Sequence, residues 1–488
     1  MSAPTSDLLG RRWVVQSAAL IGSLGCTFGW LLRGAQWHGA GNVALIAAAL
    51  ALHGVLWWPA SRRPADAAVS VSSADRLGST GPLGSVRAAT VLVGLVLVVA
   101  ALLPLHHSRD LYLYDIYGTA VAEHHVSPYR TTPAELADPK VDHVAEGWHD
   151  QPSMYGPAFV GAASVVSMLA GDSELTIRLA WQLLTAAAAL GAVVLVGRRT
   201  RAPAAVLALG CSPVLLAAVN DAHNDVLVGL GLLALVLLVD ERRYVWAAGI
   251  AALVITTKVP AVFPVGAVGL WLWRRKGWRD AATFGLPALG AVVAAYVAVG
   301  GSAALVPLRE SSGDDSRYAL WQPWRDQRVE ALLADGIPWR EALDTVRDQM
   351  STAALVLSVA VLLIVLWRYR HAARAGEVAA IAGVTLLAAS TYVMPWYPAM
   401  FLPVAALAWR SRASVLLQVQ GAFLLLAYAE GPGFDPTTTF GRMLEERAVW
   451  VNVVLLVVLV VWARPSVTSL TVAEKRSAAH TTSSLAPK

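Results

Sequence analysis

The sequence predicts an all-α polytopic membrane protein, a bundle of roughly 14 crossings at about 20 apolar residues each. Two whole-chain facts and one pattern predict it. Of 488 residues, 56% are hydrophobic and only 15% charged, and the mean hydropathy is +0.55. A soluble domain spends about a quarter of its residues on charge. Apolar runs of span length also recur along most of the chain. Such a chain cannot cover its surface with polar side chains, which excludes a soluble enzyme, a disordered chain and a collagen-like rod.

The first runs are residues 13–32, 42–59 and 88–105. Arg11 and Arg12 suit a cytoplasmic start rather than a cleavable signal. Arg62, Arg63, Arg76 and Arg87 stand in a Ser/Pro/Gly-rich linker, which the positive-inside rule places in the cytoplasm. The third span then exits outward near Pro104. Residues 155–171 are apolar but few, and a full crossing there would put Arg198, Arg199 and Arg201 outside. An interfacial or re-entrant segment keeps them inside.

Three hairpins follow whose basic ends share the cytoplasmic side. Arg201 and Glu241-Arg242-Arg243 bracket the first, Arg243 and Arg274-Arg275-Lys276 the second, Arg374 and Arg410/Arg412 the third. The second is short for two crossings and is expected to be tilted or partly re-entrant. A span at 281–301, a polar outer loop at 302–350 and spans at 351–367, 413–429 and 448–463 complete the chain. The organisation is therefore a two-span extension and linker (1–87), a core (88–300) holding the outer loop 106–154, a second outer loop (301–350), C-terminal spans (351–463) and a disordered cytoplasmic tail (464–488).

The sorting of charge agrees with this direction. The chain has 38 Lys and Arg against 33 Asp and Glu, and a pI near 9.3. The outer loops are nonetheless acidic: eight acidic against three basic residues in 106–154, nine against six in 302–350, and four against two in 430–447. The basic excess marks the cytoplasmic face and does not indicate a nucleic-acid partner. Cys26 and Cys211 lie in apolar runs and imply no disulfide framework.

Polar chemistry gathers at the outer tips. The first tip reads Asn220-Asp221-Ala222-His223-Asn224-Asp225, the second holds Lys258 before Pro260, and the third reads Met394-Pro395-Trp396-Tyr397-Pro398. They face the loop 106–154, where Ser108 is placed to cap a helix carrying Asp110, Tyr114 and Tyr117 on one face. Asp115 falls about 140° around from Asp110, so the two are not a paired acid/base dyad. Asp110 is a candidate base because it stands where a span leaves the membrane, although pairing with Arg109 is an equally simple use of a lone carboxylate. Lys258 is costly at membrane depth and suits an anionic headgroup, or else snorkels to the interface. His223 with Asp221 and Asp225 reads as a hydrogen-bonded tip at least as readily as a metal site. His106, His107, His124, His125, His143 and His149 lack zinc spacing and read as solvated. Asp314-Asp315 reads as an exposed turn, Trp396 and Tyr397 can serve as aromatic-belt anchors, and His53 and Gln182 carry no assigned role.

The ordered set Asp110-Leu-Tyr-Leu-Tyr with Gly118, Ser127-Pro128-Tyr129, Tyr155-Gly156-Pro157, Ser212-Pro213, His223-Asn224-Asp225, Lys258-Val259-Pro260 and Pro395-Trp396-Tyr397 resembles the glycosyltransferase C superfamily. Within it the chain is most similar to bacterial polyprenol-phosphate-mannose-dependent α-1,6-mannosyltransferases of family 87 type. The resemblance spans about residues 88–410, with the first two spans as an extension ahead of it. It implies a plasma-membrane enzyme with cytoplasmic termini and an active site on the outer face. The implied reaction moves mannose from a polyprenyl-phosphate donor to a mannan or glycolipid acceptor of the cell envelope, with inversion. Asp110 is implied as base. Lys258, with Arg178 and Arg309, is implied at the donor phosphate, and Tyr114, Tyr117, Asp115, Tyr155, His223, Asn224, Asp225, Trp396 and Tyr397 at sugar or acceptor. A monophosphate donor requires no metal or cofactor, and none is expected. An arabinose donor is the alternative within the class, and a lipid or sugar transporter the alternative outside it. Transporters place polar sites at the midplane of repeated halves, a pattern this chain lacks.

Overall fold

The computed structural model describes residues 4–33, 40–61, 84–311, 315–368, 374–409, 411–429 and 438–462. Arg62, Arg63, Arg76, Asp314, Arg410 and the tail 464–488 lie outside the described residues. Every regular element among the described residues is helical. The first three apolar runs form α1 (Pro4–Arg33), α2 (Ala40–Ser61) and α3 (Val86–Leu102). Ser85 caps α3 by accepting the Ala88 amide N–H at 3.0 Å. The loop 106–154 then folds into α4 (Asp110–Ala122) and short turns at Pro133–Leu136, Pro139–His143 and Glu146–Trp148. α5 (Pro157–Ala170) lies against α4, and α6 (Glu174–Thr200) follows.

The first arm of the first hairpin is broken. α7 (Pro203–Gly210) and α8 (Pro213–Asn220) meet at 48°, because Pro213 supplies no amide N–H to continue the ladder. α9 (Asp225–Asp240) returns from the tip, α10 (Tyr244–Thr257) and α11 (Val262–Lys276) form the short second hairpin, and α12 (Trp278–Ala298) follows. Among the described residues, Val14–Arg33, Glu174–Thr200, Trp278–Ala298 and Trp339–Arg368 are long and apolar enough to cross a membrane. The bent pair α7–α8 would make a fifth. This is the architecture of a polytopic membrane protein, with fewer full-length spans than the 14 crossings expected from hydropathy.

The loop 302–350 is more ordered than its polarity suggests. It contains α13 (Gln322–Ala334), and α14 (Trp339–Arg368) begins well before the apolar run at 351. Ala342, Val346 and Met350 continue the buried stripe of α14 into that polar stretch and meet Val329 and Leu332 of α13. Asp315 pairs with Arg325 and, at 3.6 Å, with Arg347, so it is a half-buried ion-pair centre and not an exposed turn. α15 (Ala375–Ala389) is buried on nearly every face, as a helix apolar all round must be. α16 (Leu402–Leu407), α17 (Arg412–Ala427) and α18 (Thr439–Trp462) pack around it.

Two glycines set how closely α4, α5 and α10 approach one another. A Cβ on Gly118 of α4 would stand 2.4 Å from the Ala163 carbonyl oxygen of α5, and one on Gly156 would stand 2.2 Å from that of Thr256. Backbone walls both positions, so neither clash is relieved by rotating a side chain. Gly118→Ala and Gly156→Ala are each expected to cost about 1–3 kcal/mol through overpacking. Thermal unfolding of the detergent-purified variants checks this, and melting temperatures equal to wild type would contradict such close approach.

Candidate active site at the hairpin tips

The exit of α3 is tied down by side chains of low sequence prominence. Gln182 Nε2 donates to the carbonyl oxygens of Leu103 at 3.0 Å and Asn220 at 2.6 Å. Asn220 Nδ2 donates in turn to Ala100 and Pro104, both at 3.0 Å. Asp221 Oδ1 accepts the amide N–H of His106 at 2.8 Å and of His107 at 3.2 Å. These bonds lock the first tip against the residues leading into Asp110. Gln182 therefore has a structural role, readable only once its partners' carbonyls are known.

At the tip itself Ala222 adopts φ 57°, an uncommon left-handed conformation for a residue with a Cβ. The turn it makes is closed by the His223 amide donating to the Ala218 carbonyl at 2.8 Å. His223 is thereby delivered to Asp110, with Nδ1 3.5 Å from Oδ2. Its other neighbour is Trp396, stacked at 3.8 Å between ring centroids and 12° between planes. Asp110 opens α4 behind Arg109, which holds the N-cap position without a side-chain cap bond. Ser108, expected as the cap, stands one residue earlier with its Oγ accepting the Asp110 amide N–H at 3.1 Å, and the Asp110 side chain keeps 23% exposure.

Lys258 is far from alone. Nζ donates to both carboxylate oxygens of Asp225 at 2.8 Å and to Asn224 Oδ1 at 3.3 Å. It also lies 4.3 Å from the centroid of the Tyr397 ring. Consecutive rings of the third tip thus serve different partners, Trp396 covering His223 and Tyr397 covering Lys258, so neither is merely a belt anchor. The result is two adjoining halves, one with Asp110 and His223, the other with Lys258 and Asp225. Asp221 and Asp225 face different partners, which makes the first tip a hydrogen-bonded hub.

A family profile described as alpha-(1->6)-mannopyranosyltransferase, N-terminal domain, matches residues 9–275. The chain belongs to this family. The mannosyltransferase match includes the first two apolar helices as well as Asp110, His223 and Lys258. No curated protein sequence matches the chain. Family membership makes the chain a glycosyltransferase, and the remaining expected residues can be placed within it.

Several of those residues are structural in this mannosyltransferase. Tyr114 and Tyr117 are each 1% exposed. Tyr114 packs edge-on to Tyr155, Phe159 and Trp181, and Tyr117 donates its hydroxyl to the Gln151 carbonyl at 2.7 Å. They build the wall behind Asp110 and offer no free face to a sugar. Asp115 projects away from Asp110, accepting from Ser167 Oγ at 2.7 Å, with Lys140 Nζ at 3.8 Å. Lys140 also reaches Glu123 and Asp172, both at 3.2 Å, and so pins the loop to α4. Arg178 donates to the Leu103 carbonyl at 3.4 Å, and Arg309 is exposed on the short helix Val306–Ser311. His106 is not solvated: it is buried against Trp30, ring centroids 4.1 Å apart, and burial lowers its pKa to about 3. His124 pairs with Asp138 at 2.9 Å, and the ring of His149 meets the Val144 carbonyl at 3.1 Å.

The electrostatics separate the carboxylates by role. Burial pushes the Asp110 carboxyl up, but His223, Ser108 and Lys258 together outweigh it and hold the net value below the ordinary carboxylate range. Burial dominates at Asp115 and Asp221 and raises each to about 6. Asp110 is therefore the carboxylate kept ionised beside a partly open space. The Lys258–Asp225 pair carries its own test, since Asp225 is fully buried while Lys258 retains 11% exposure. Lys258→Met strands a buried carboxylate, whereas Asp225→Asn leaves an ammonium that can reach water. The first is expected to lower the melting temperature more, on the scale of the about 3–5 kcal/mol lost when a buried pair is broken. An equal or reversed order in thermal unfolding would contradict the burial asymmetry.

Proposed function

We propose that this mannosyltransferase moves mannose from a polyprenyl monophosphate to a hydroxyl of a cell-envelope glycan or glycolipid, on the outer face of the plasma membrane. The acceptor oxygen attacks the anomeric carbon, and its proton passes to Asp110. The bond from that carbon to the phosphate oxygen breaks, and the electron pair leaves with the phosphate. Displacement from the opposite side inverts the anomeric centre, so a β-linked donor yields an α-linked product. Lys258 stands at the leaving phosphate, held there by Asp225 and Tyr397, with Arg178 and Arg309 as further cations. His223, Asn224, Trp396 and Tyr397 shape the sugar site, and Tyr155 supports it. A monophosphate leaving group needs no metal or cofactor in this scheme. The same reading keeps about 14 crossings, short and broken helices included, with both termini cytoplasmic.

The observation that carries the proposal is the pairing of a partly exposed, ionised Asp110 with His223, one tip away from a fixed ammonium. A base must be ionised to work, and a lowered pKa keeps it so in mildly acidic medium. Membranes carrying wild type or Asp110→Asn, supplied with labelled polyprenyl-phosphate-mannose and a short α-mannoside, test it. Asp110→Asn is expected to lower transfer by about 10²–10⁴-fold at equal expression. Normal transfer by the variant would overturn the base assignment, and activity with an arabinose donor alone would overturn the sugar. On the same reading wild-type kcat/KM has no acid limb from the base at pH 5–7. It declines only as pH falls through the lowered pKa of Asp110.

A further inference from the structure

Beside His223, against Trp396 of the third tip, lies a small cleft that Trp30, His107 and Asp221 also line. The space in it open to the centre of a water molecule is about 20 Å³, which is about the room one water needs and far too little for a sugar ring. Asp110 is not among the lining residues, so the His223 ring stands between that carboxylate and the cleft. Two of the lining side chains are almost fully buried, Trp30 at 2% and His223 at 1% exposure. Among the described residues, Trp30 Nε1 and His223 Nε2 have no hydrogen-bond partner. A buried indole N–H ordinarily finds one, and two such atoms on one water-sized cleft point to a shared partner.

We propose that the cleft holds one ordered water bridging Trp30 Nε1 and His223 Nε2, and that Trp30 is through it a positioning residue that fixes the tautomer of His223; its effect on turnover rests on the mannosyl-transfer reading above. The hydrogen-bond inventory sets the direction of each bond. An indole N–H only donates, so the water accepts from Trp30 and keeps its own hydrogens to give. A neutral imidazole has one accepting nitrogen. Nε2 is the one left for this water, because Nδ1 lies 3.5 Å from Asp110 Oδ2. The ring proton is then on Nδ1, where it donates to the carboxylate. The opposite tautomer would set the Nδ1 lone pair against an ionised carboxylate and add a second donor to a water that already accepts from Trp30. Asp221, a lining residue, offers an acceptor to the other water hydrogen. Trp396, stacked on the imidazole, fixes the plane of the ring and bonds neither nitrogen. The tautomer therefore needs the further contact that the water supplies. This gives the first helix a part in the site, through an indole set edge-on to the rings of His106 and His107.

The test reads the tautomer apart from turnover. Full-length protein labelled with ¹⁵N-histidine is studied in lipid bilayers by solid-state NMR at neutral pH, with His223→Gln identifying the His223 signals. Trp30→Phe removes the indole donor and keeps the ring. Ala217→Leu fills the cleft from a half-buried lining position of α8 and serves if Trp30→Phe fails to fold. Wild type is expected to show a protonated Nδ1, an unprotonated Nε2 and magnetisation transfer from water to His223. Both variants are expected to lose the water contact and show mixed tautomers. Their kcat is expected to fall about tenfold, the scale of one hydrogen bond to a charged group, with donor and acceptor KM little changed. The groups within electrostatic reach of Asp110 are His223, Lys258, Tyr114, Tyr117, Tyr155 and Tyr397, and of these only His223 borders the cleft. Weakening the Nδ1–H bond removes a contact that lowers the Asp110 pKa, so the acid limb of kcat/KM is expected to move to higher pH in both variants. A protonated Nε2 in wild type, or no water contact at His223, would overturn the proposal. A rate loss with unchanged His223 signals and an unmoved acid limb would overturn it too, leaving Trp30 as packing alone. The expected signals in a wild type that transfers no mannose would instead defeat the mannosyl-transfer reading and leave the water site standing.

Discussion

A charge placed where a chain meets the membrane must be paired or hydrated, because its desolvation costs several kcal/mol. In this protein that constraint is met by Lys258 gripping both oxygens of a fully buried Asp225. The pair joins the tips of two hairpins that are otherwise apolar, and Tyr397 of the third tip lies over the ammonium. Asn224 adds its side-chain oxygen at 3.3 Å. The next residue back, His223, is then where Asp110 needs it. Lys258 and Asp225 thus tie the second tip to the first at the point where His223 meets Asp110.

The second constraint is geometric. Asp110 begins a helix that must sit against α5 and against the first tip at once. Asp221 supplies the tip contact through two backbone amides, and Gly118 permits the helix contact. The buried tyrosines of α4 fill the space between. Much of the polar sequence in this region therefore serves to place one carboxylate, and only a small part of it is left to meet substrate. The tyrosines and Asp115, which resemblance points toward the sugar, are consumed in this way.

The legible part of the sequence was the part governed by local rules. Apolar run length located the first three helices, and the spacing of Asp110, Tyr114 and Tyr117 anticipated α4, although Arg109 and not Ser108 holds its N-cap. Helical spacing separated Asp110 from Asp115, which the structure places with Ser167 and Lys140. The convergence of three tips was readable from the side on which basic residues collect. What could not be read was partnership across the chain. Nothing in the neighbourhood of Lys258 names Asp225, Gln182 is a lone polar residue until the carbonyls of Leu103 and Asn220 come to it, and His106 looks solvated until Trp30 covers it. The extension of α14 back to Trp339 was hidden because hydropathy averages away a buried stripe of three residues among charges.

Proton transfer depends most on Asp110 and His223 acting as one unit. A double-mutant cycle on the transfer rate, using Asp110→Asn, His223→Gln and the combined variant, addresses this directly. Strong coupling is expected: once Asp110 is neutral, replacing His223 slows transfer little further, and the double variant is about as slow as Asp110→Asn alone. Independent losses that multiply in the double variant would contradict it.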